Sequence, residues 1–265
     1  MKGIKKVMEK RFSIGVMTDS FKKPFFEALD KAVEVGAQGI QLYVVEGEMS
    51  YKTFDDEKIK AVNEALAAHN LVVSAVCGDF GGHGFATEEE NEWKVPASKE
   101  VALLAKKLGS SVVTTHKNSE EYIRMKNACK DMGDYAASVG VTFAIETGPE
   151  KATVLADFIR DVDSKGIGVN LDPANLVMCS HDDAAFAANV LSKYIVHTHA
   201  KDGIPVGHNG YLEVPLGQGS VDFDAYLAAL ADIGYKGYFT FESGNIFYPA
   251  GKRRRQTARR RHPAE

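Results

Sequence analysis

The stretch Tyr194–Gly203 reads YIVHTHAKDG, a short apolar run that ends abruptly in His199, Lys201 and Asp202. Three other apolar runs end in a comparable way: VTFAIETGP at Glu146, GVNLDPAN at Asp172 and GYFTFESG at Glu242. If the four ends meet, they supply three carboxylates and one imidazole, enough to hold a metal ion.

Between these runs the sequence alternates strand-like and helix-like segments. The predicted strands begin with FSIGVM (Phe12–Met17), GIQLYVV from Gly39, LVVSAVC, and SVVTTH ending at His116. VTFAIE, IGVNLD, YIVHTH and GYFTFE follow. The helices fall at Pro24–Gly36, where Phe25, Leu29, Ala32 and Val33 recur at helical spacing, and at Asp55–His69, Val101–Leu108 and from Ser119 towards Val139. Thr153–Asp163, Asp182–Ser192 and Val221–Ile233 complete the set. Eight strands alternating with helices predict an α/β protein, a (β/α)8 TIM barrel, and no G-x-G-x-x-G follows the first strand, which weighs against a dinucleotide fold. The glycine-rich GDFGGHGFATEEE from Gly78 to Glu90 reads as a long mobile loop at the mouth of a site, a possible lid, and IPVGHNGYLEVPLGQGS reads as a second loop.

The 265 residues, 45% hydrophobic and 26% charged, suffice for one sizeable core, and no apolar run reaches the roughly 18 residues of a membrane span. The basic N-terminus lacks the apolar segment and cleavage site of a secretion signal. Cys77, Cys129 and Cys179 show neither disulfide nor C-x-x-C spacing, so a reducing cytoplasm is the expected location. From Lys252 the tail carries seven Lys or Arg against one Glu, +6, so the formal net charge of −4 leaves residues 1–251 at −10. An acidic body disfavours nucleic acid as a partner. The expected organisation is a barrel domain over residues 1–251 and a disordered basic tail over 252–265. That tail has no apolar periodicity, so the eighth helix is expected to be missing or defective, leaving an exposed apolar strip and favouring a homo-oligomer.

In a (β/α)8 barrel the C-terminal strand ends share one mouth, which brings Glu146, Asp172, His199 and Glu242 together. Taken singly, each has a bland reading: a solvated loop charge, a turn before Pro173, a satisfied core histidine. Four successive strand ends of this kind favour one divalent cofactor, Mn²⁺ before Mg²⁺, Co²⁺ or Zn²⁺. Lys201 either orients a substrate oxygen or pairs with Asp202, and His116 either contacts substrate or makes a structural hydrogen bond. His83 either reaches substrate or is exposed, Trp93 either covers a sugar ring or packs on a helix, and His208 has no evident partner. The glycines of PLGQGS offer backbone N–H groups to a phosphate.

The segments E-T-G at Glu146, N-L-D-P-A-N at Asp172, H-T-H-A-K-D at His199 and F-E-S at Glu242, with P-L-G-Q-G-S-V-D-F, resemble the xylose isomerase-like TIM barrels. This is the sugar phosphate isomerase/epimerase group, which also contains inosose dehydratases, ketose 3-epimerases and endonuclease IV. The resemblance runs from about Phe12 to Glu242. It implies one divalent metal on Glu146, Asp172, His199 and Glu242, with Glu146 and Glu242 as acid/base groups on opposite faces of a sugar, sugar phosphate or cyclitol. The implied enzyme is a metal-dependent isomerase or epimerase working through a metal-stabilised enediolate, in carbohydrate metabolism. An inosose-type dehydratase, a non-catalytic sugar-binding barrel and a DNA-repair nuclease are the alternatives. Glu146 is followed by TGPEKA, not the E-x-x-N-R-x-E of ketose 3-epimerases, and Asn175 stands where a D-x-x-H motif has histidine, a candidate substrate contact. The loop after strand seven lacks the D-x-H pair of endonuclease IV.

Overall fold

A computed structural model describes residues 12–82, 84–116, 121–206 and 210–243. Eight parallel strands close into a barrel: β1 (Ser13–Met17), β2 (Gly39–Tyr43), β3 (Val72–Cys77), β4 (Val112–His116), β5 (Thr142–Glu146), β6 (Ile167–Leu171), β7 (Ile195–Ala200) and β10 (Tyr238–Phe241). β10 lies between β1 and β7 and closes the ring, so the predicted barrel is the fold. β6 is buried along its whole length, as expected of a strand covered on both faces. The helices are α1 (Phe25–Glu34), α2 (Asp56–Ala68), α3 (Glu88–Lys107), α4 (Tyr122–Val139), α5 (Ala152–Val162), α6 (Ala184–Val190) and α7 (Phe223–Asp232). Their apolar stripes pack on the barrel. On α1 the buried face is Phe25, Ala28, Leu29 and Ala32, whereas Val33 points away and is exposed.

Three segments differ from the sequence expectation. α3 starts at Glu88, far upstream of Val101, because Thr87 caps it: its Oγ1 accepts from the Glu90 N–H at 3.2 Å and donates to Glu90 Oε2. Pro96 sits inside that helix and masks its first half in the sequence. The segment after Lys201 is not loop throughout but forms an antiparallel hairpin, β8 (Asp202–Val206) with β9 (Gly210–Val214). After Asp172 the chain makes one helical turn, Pro173–Asn175, and a π-helical stretch, Leu176–Ser180. The basic tail, the eighth helix, His83 and His208 lie outside the described residues. Among the described residues no helix is long and apolar enough to cross a membrane.

Candidate metal centre

Register places the candidate ligands at one rim. His116 pairs with Glu146, Glu146 with Asn170, and Thr240 with His199 across adjacent strands. Glu146, Asp172, His199 and Glu242 each offer one ligand atom, and these atoms all lie within 4.8 Å of one another. His199 Nδ1 stands 3.0 Å from Glu242 Oε2, 3.4 Å from Asp172 Oδ2 and 3.6 Å from Glu146 Oε2. Side chains of Glu146, Asp172 and His199 are buried, while that of Glu242 keeps 18% exposure and opens the centre to the mouth.

The surrounding contacts aim these atoms. Asp172 uses Oδ1 to cap the helical turn, accepting from the N–H groups of Ala174 (2.8 Å) and Asn175 (3.0 Å), which leaves Oδ2 for the centre. Glu146 Oε1 accepts from Asn175 Nδ2 at 2.8 Å and faces His116 Nε2 at 3.2 Å. Its Oε2 accepts from Asn170 Nδ2 at 3.1 Å and faces His199. The other nitrogen of His199, Nε2, is 2.9 Å from Gln41 Oε1, and Gln41 donates in turn to Thr114 Oγ1 at 2.9 Å. Gln41 therefore accepts from Nε2–H and turns Nδ1 to the carboxylates, an arrangement that also suits a metal-binding histidine.

This donor set fits a hard divalent cation. Two like charges 4 Å apart repel by about 4 kcal/mol at an effective dielectric near 20, so three converging carboxylates require a positive centre. With the protein's own groups, that charge comes from His199 and Lys201. Burial alone would lower the His199 pKa, but Glu242 and Glu146 hold it well above the ordinary value. Burial would likewise raise Glu242, yet His199 outweighs it and brings the carboxyl down to about 2. The same opposition, with His116 and His199 as the cations, keeps Glu146 well below the carboxylate range. A divalent cation held by these residues would take the place of the His199 proton.

Lys201 pairs with Glu242 (3.3 Å) and Asp172 (3.5 Å). It does not pair with Asp202. Asp202 instead receives the N–H groups of Gly203, Gly217, Gly219 and Val221 at 2.8–3.2 Å, so the backbone donors of PLGQGS are taken by the chain's own carboxylate. This corrects the reading of those glycines as a phosphate cradle. Asn175 spends its amide on Glu146 and on the Thr147 carbonyl at 3.1 Å. His116 is held between Glu146 and Asp79, with Nδ1 3.0 Å from Asp79 Oδ2; the Glu146 charge raises its pKa well above the usual value. Trp93 lies half-exposed on α3, edge-on to Phe80 with ring centroids 5.4 Å apart.

Four participants escaped the sequence reading: Gln41, Asp79, Asn170 and His197. His197 donates from Nδ1 to Asn170 Oδ1 at 2.9 Å, shares its Nε2 with Thr240 Oγ1 at 2.9 Å, and is held neutral by burial, its pKa down to about 3. Gln41 and Asn170 did carry a signal, an amide inside an otherwise apolar buried strand, which must find a partner there.

Known proteins share this framework. A xylose isomerase domain protein from Planctomyces limnophilus superposes with a TM-score of 0.78 at 26% identity, covering 88% of this chain and 91% of its own. The probable 3-DHS dehydratase AsbF of Bacillus anthracis gives 0.72 at 18% identity, covering 87% and 92%. A D-tagatose 3-epimerase-like protein gives 0.73 at 21%, covering 89% and 91%. An uncharacterized protein of Methanocaldococcus jannaschii is 28% identical over 132 residues, 48% of this chain and 40% of that protein's length. Residues 29–260 match the xylose isomerase-like TIM barrel family, to which the chain therefore belongs.

Proposed function

We propose that the chain is a divalent-metal-dependent isomerase or epimerase of carbohydrates that moves a proton at a carbon next to a carbonyl. The observation that carries this reading is the convergence of Glu146 and Glu242 from separate strands onto one point with Asp172 and His199. Glu146, Asp172, His199 and Glu242 would hold the ion, which supplies Lewis-acid polarisation of the substrate oxygens when bound. The glutamates do the proton work. Glu146 is immobilised by Asn170, Asn175 and His116, so its carboxylate meets a substrate carbon in one orientation. Glu242 is more open, and His199, with Lys201 as a lesser contributor, keeps it ionised. Two carboxylates on different sides of a bound carbon provide removal at one face and return at the other. Membership of the xylose isomerase-like TIM barrel family is consistent with this reading.

A lyase of the inosose dehydratase type is the second reading. His116, kept protonated between Asp79 and Glu146, is the kind of donor that departure of a hydroxyl group requires. The three free cysteines, two of them buried, agree with a reducing compartment.

Deuterium uptake from D₂O into recovered sugar separates the readings: uptake without loss of water supports the isomerase or epimerase, and loss of water supports the lyase. Glu146→Gln and Glu242→Gln are each expected to lower turnover by about 10²–10⁴, with the fold intact by circular dichroism. Unchanged turnover in both variants, or indifference to chelation, would remove the mechanism.

A further inference from the structure

We infer that Thr240, His197 and Asn170 are positioning residues: they form a one-way chain of hydrogen bonds beside the metal centre that fixes how the Glu146 carboxylate is turned, and through it how tightly the centre holds a divalent ion. The inference rests on the function proposed above and concerns side chains outside the ligand set.

The chain runs from the strand that precedes one glutamate to the strand that carries the other. Thr240 lies on β10, two residues before Glu242. Its Oγ1 is 2.9 Å from His197 Nε2, His197 Nδ1 is 2.9 Å from Asn170 Oδ1, and Asn170 Nδ2 is 3.1 Å from Glu146 Oε2. Thr240, His197 and Asn170 are at most 1% exposed, so bulk water does not compete for these contacts. The backbone is shaped for them. The register of β6 against β7 slips by one residue after Val169, which pairs Asn170 with His197 in place of Val196. Val196 packs with Ala75, Val112 and Ala144, and the next side chain along still reaches Asn170. Gly15 leaves room for the hydroxyl, since a Cβ there would stand 2.4 Å from Thr240 Oγ1.

Direction follows from the Glu146 end. An ionised carboxylate only accepts, so the Asn170 amide turns its NH₂ to Oε2 and its carbonyl to His197. That carbonyl also only accepts, so His197 carries its proton on Nδ1 and leaves Nε2 as an acceptor. Thr240 then donates its hydroxyl hydrogen, the one rotor in the chain. Flipping Asn170 would set its carbonyl oxygen against the carboxylate, and moving the His197 proton would set a ring lone pair against the Asn170 oxygen; each leaves a buried acceptor without a donor. Held this way, Glu146 keeps Oε2 towards His199 and Oε1 towards His116. Asn170 Nδ2 also lies 3.2 Å from His199 Nε2, so the same amide stands between two of the ligands.

The test joins long-range ¹H–¹⁵N NMR of the metal-free full chain to Mn²⁺ titration calorimetry of the wild type, Thr240→Val and Thr240→Ser. In the wild type His197 is expected as the Nδ1–H tautomer. Thr240→Val keeps the shape and removes the donor, so it should bind Mn²⁺ at least about tenfold more weakly; Thr240→Ser keeps the donor and should stay within about threefold of the wild type. A packing role predicts the reverse order, because valine fills the threonine volume and serine does not. A proton on His197 Nε2, or Mn²⁺ bound by Thr240→Val as tightly as by Thr240→Ser, overturns the inference and leaves the proposed function standing. If a variant does not fold, the wild-type tautomer decides alone. Absence of Mn²⁺ binding by the folded wild type overturns both.

Discussion

The two glycine-rich segments at the barrel mouth, residues 78–87 before α3 and residues 215–221 before α7, solve one problem with opposite charges. In the first, the ammonium of Lys94, 1% exposed, donates to the carbonyls of Gly81 (2.7 Å) and Gly84 (2.8 Å), with Glu90 Oε1 at 3.3 Å. In the second, the carboxylate of Asp202 collects N–H groups from Gly217, Gly219 and Val221. Glycine lets the backbone turn through positive φ, +65° at Gly81 and +80° at Gly217, so that several groups of one polarity face one buried charge. In the second segment the glycines therefore form no open ligand cradle. The segments differ in where they lead. The first reaches the metal centre through Asp79, His116 and Glu146, while the second is closed on itself.

The largest effect is expected from Asp202→Ala, which strands buried N–H groups and should cost on the order of 3–5 kcal/mol in denaturant unfolding. A loss under about 1 kcal/mol would mean that water satisfies those donors and that the segment is open. Gly219→Ala sharpens the same point. Its new Cβ would also lie 2.7 Å from the Gly203 nitrogen, which is backbone and cannot swing away, so about 2 kcal/mol is expected. Lys94→Met keeps the aliphatic stem but frees two carbonyls near the surface, for about 1–2 kcal/mol. Hydrogen exchange should then quicken in residues 78–87 and stay unchanged in the β5 and β6 core. Equal slowing or quickening in both regions would contradict a local role for Lys94.

A smaller stability effect, on the order of 1 kcal/mol at neutral pH, belongs to Asp79→Asn, but it tests the link between loop and centre. His116 has a raised folded pKa, so its contribution to stability is fully present below the unfolded value and fades as pH rises through the folded one. Glu146 is the main cause of that shift and Asp79 a lesser one. The variant should therefore lower the His116 pKa in NMR titration without restoring the ordinary value. No change would show that Asp79 only orients the loop.

Much of this was legible in the chain. Alternating apolar runs and helical stripes are local patterns, and strand ends bearing Glu146, Asp172, His199 and Glu242 stand out because charge rarely follows a buried run without a use. The first half of α3 was hidden by Pro96, which usually ends a helix but is tolerated in this one. The β8–β9 hairpin was hidden because its glycines and proline read as loop.

The order of β/α units and the chemistry at their ends were set by the sequence itself, since periodicity and residue type are properties of short segments. Tertiary structure alone decided the partners. Gln41 meets His199 across 158 positions, Asp79 meets His116 across 37, and Lys201 turns to Asp172 and Glu242 in place of its neighbour Asp202. Hydrogen bonds and ion pairs act over a few ångströms, and only closure of the barrel brings residues so far apart along the chain within that reach.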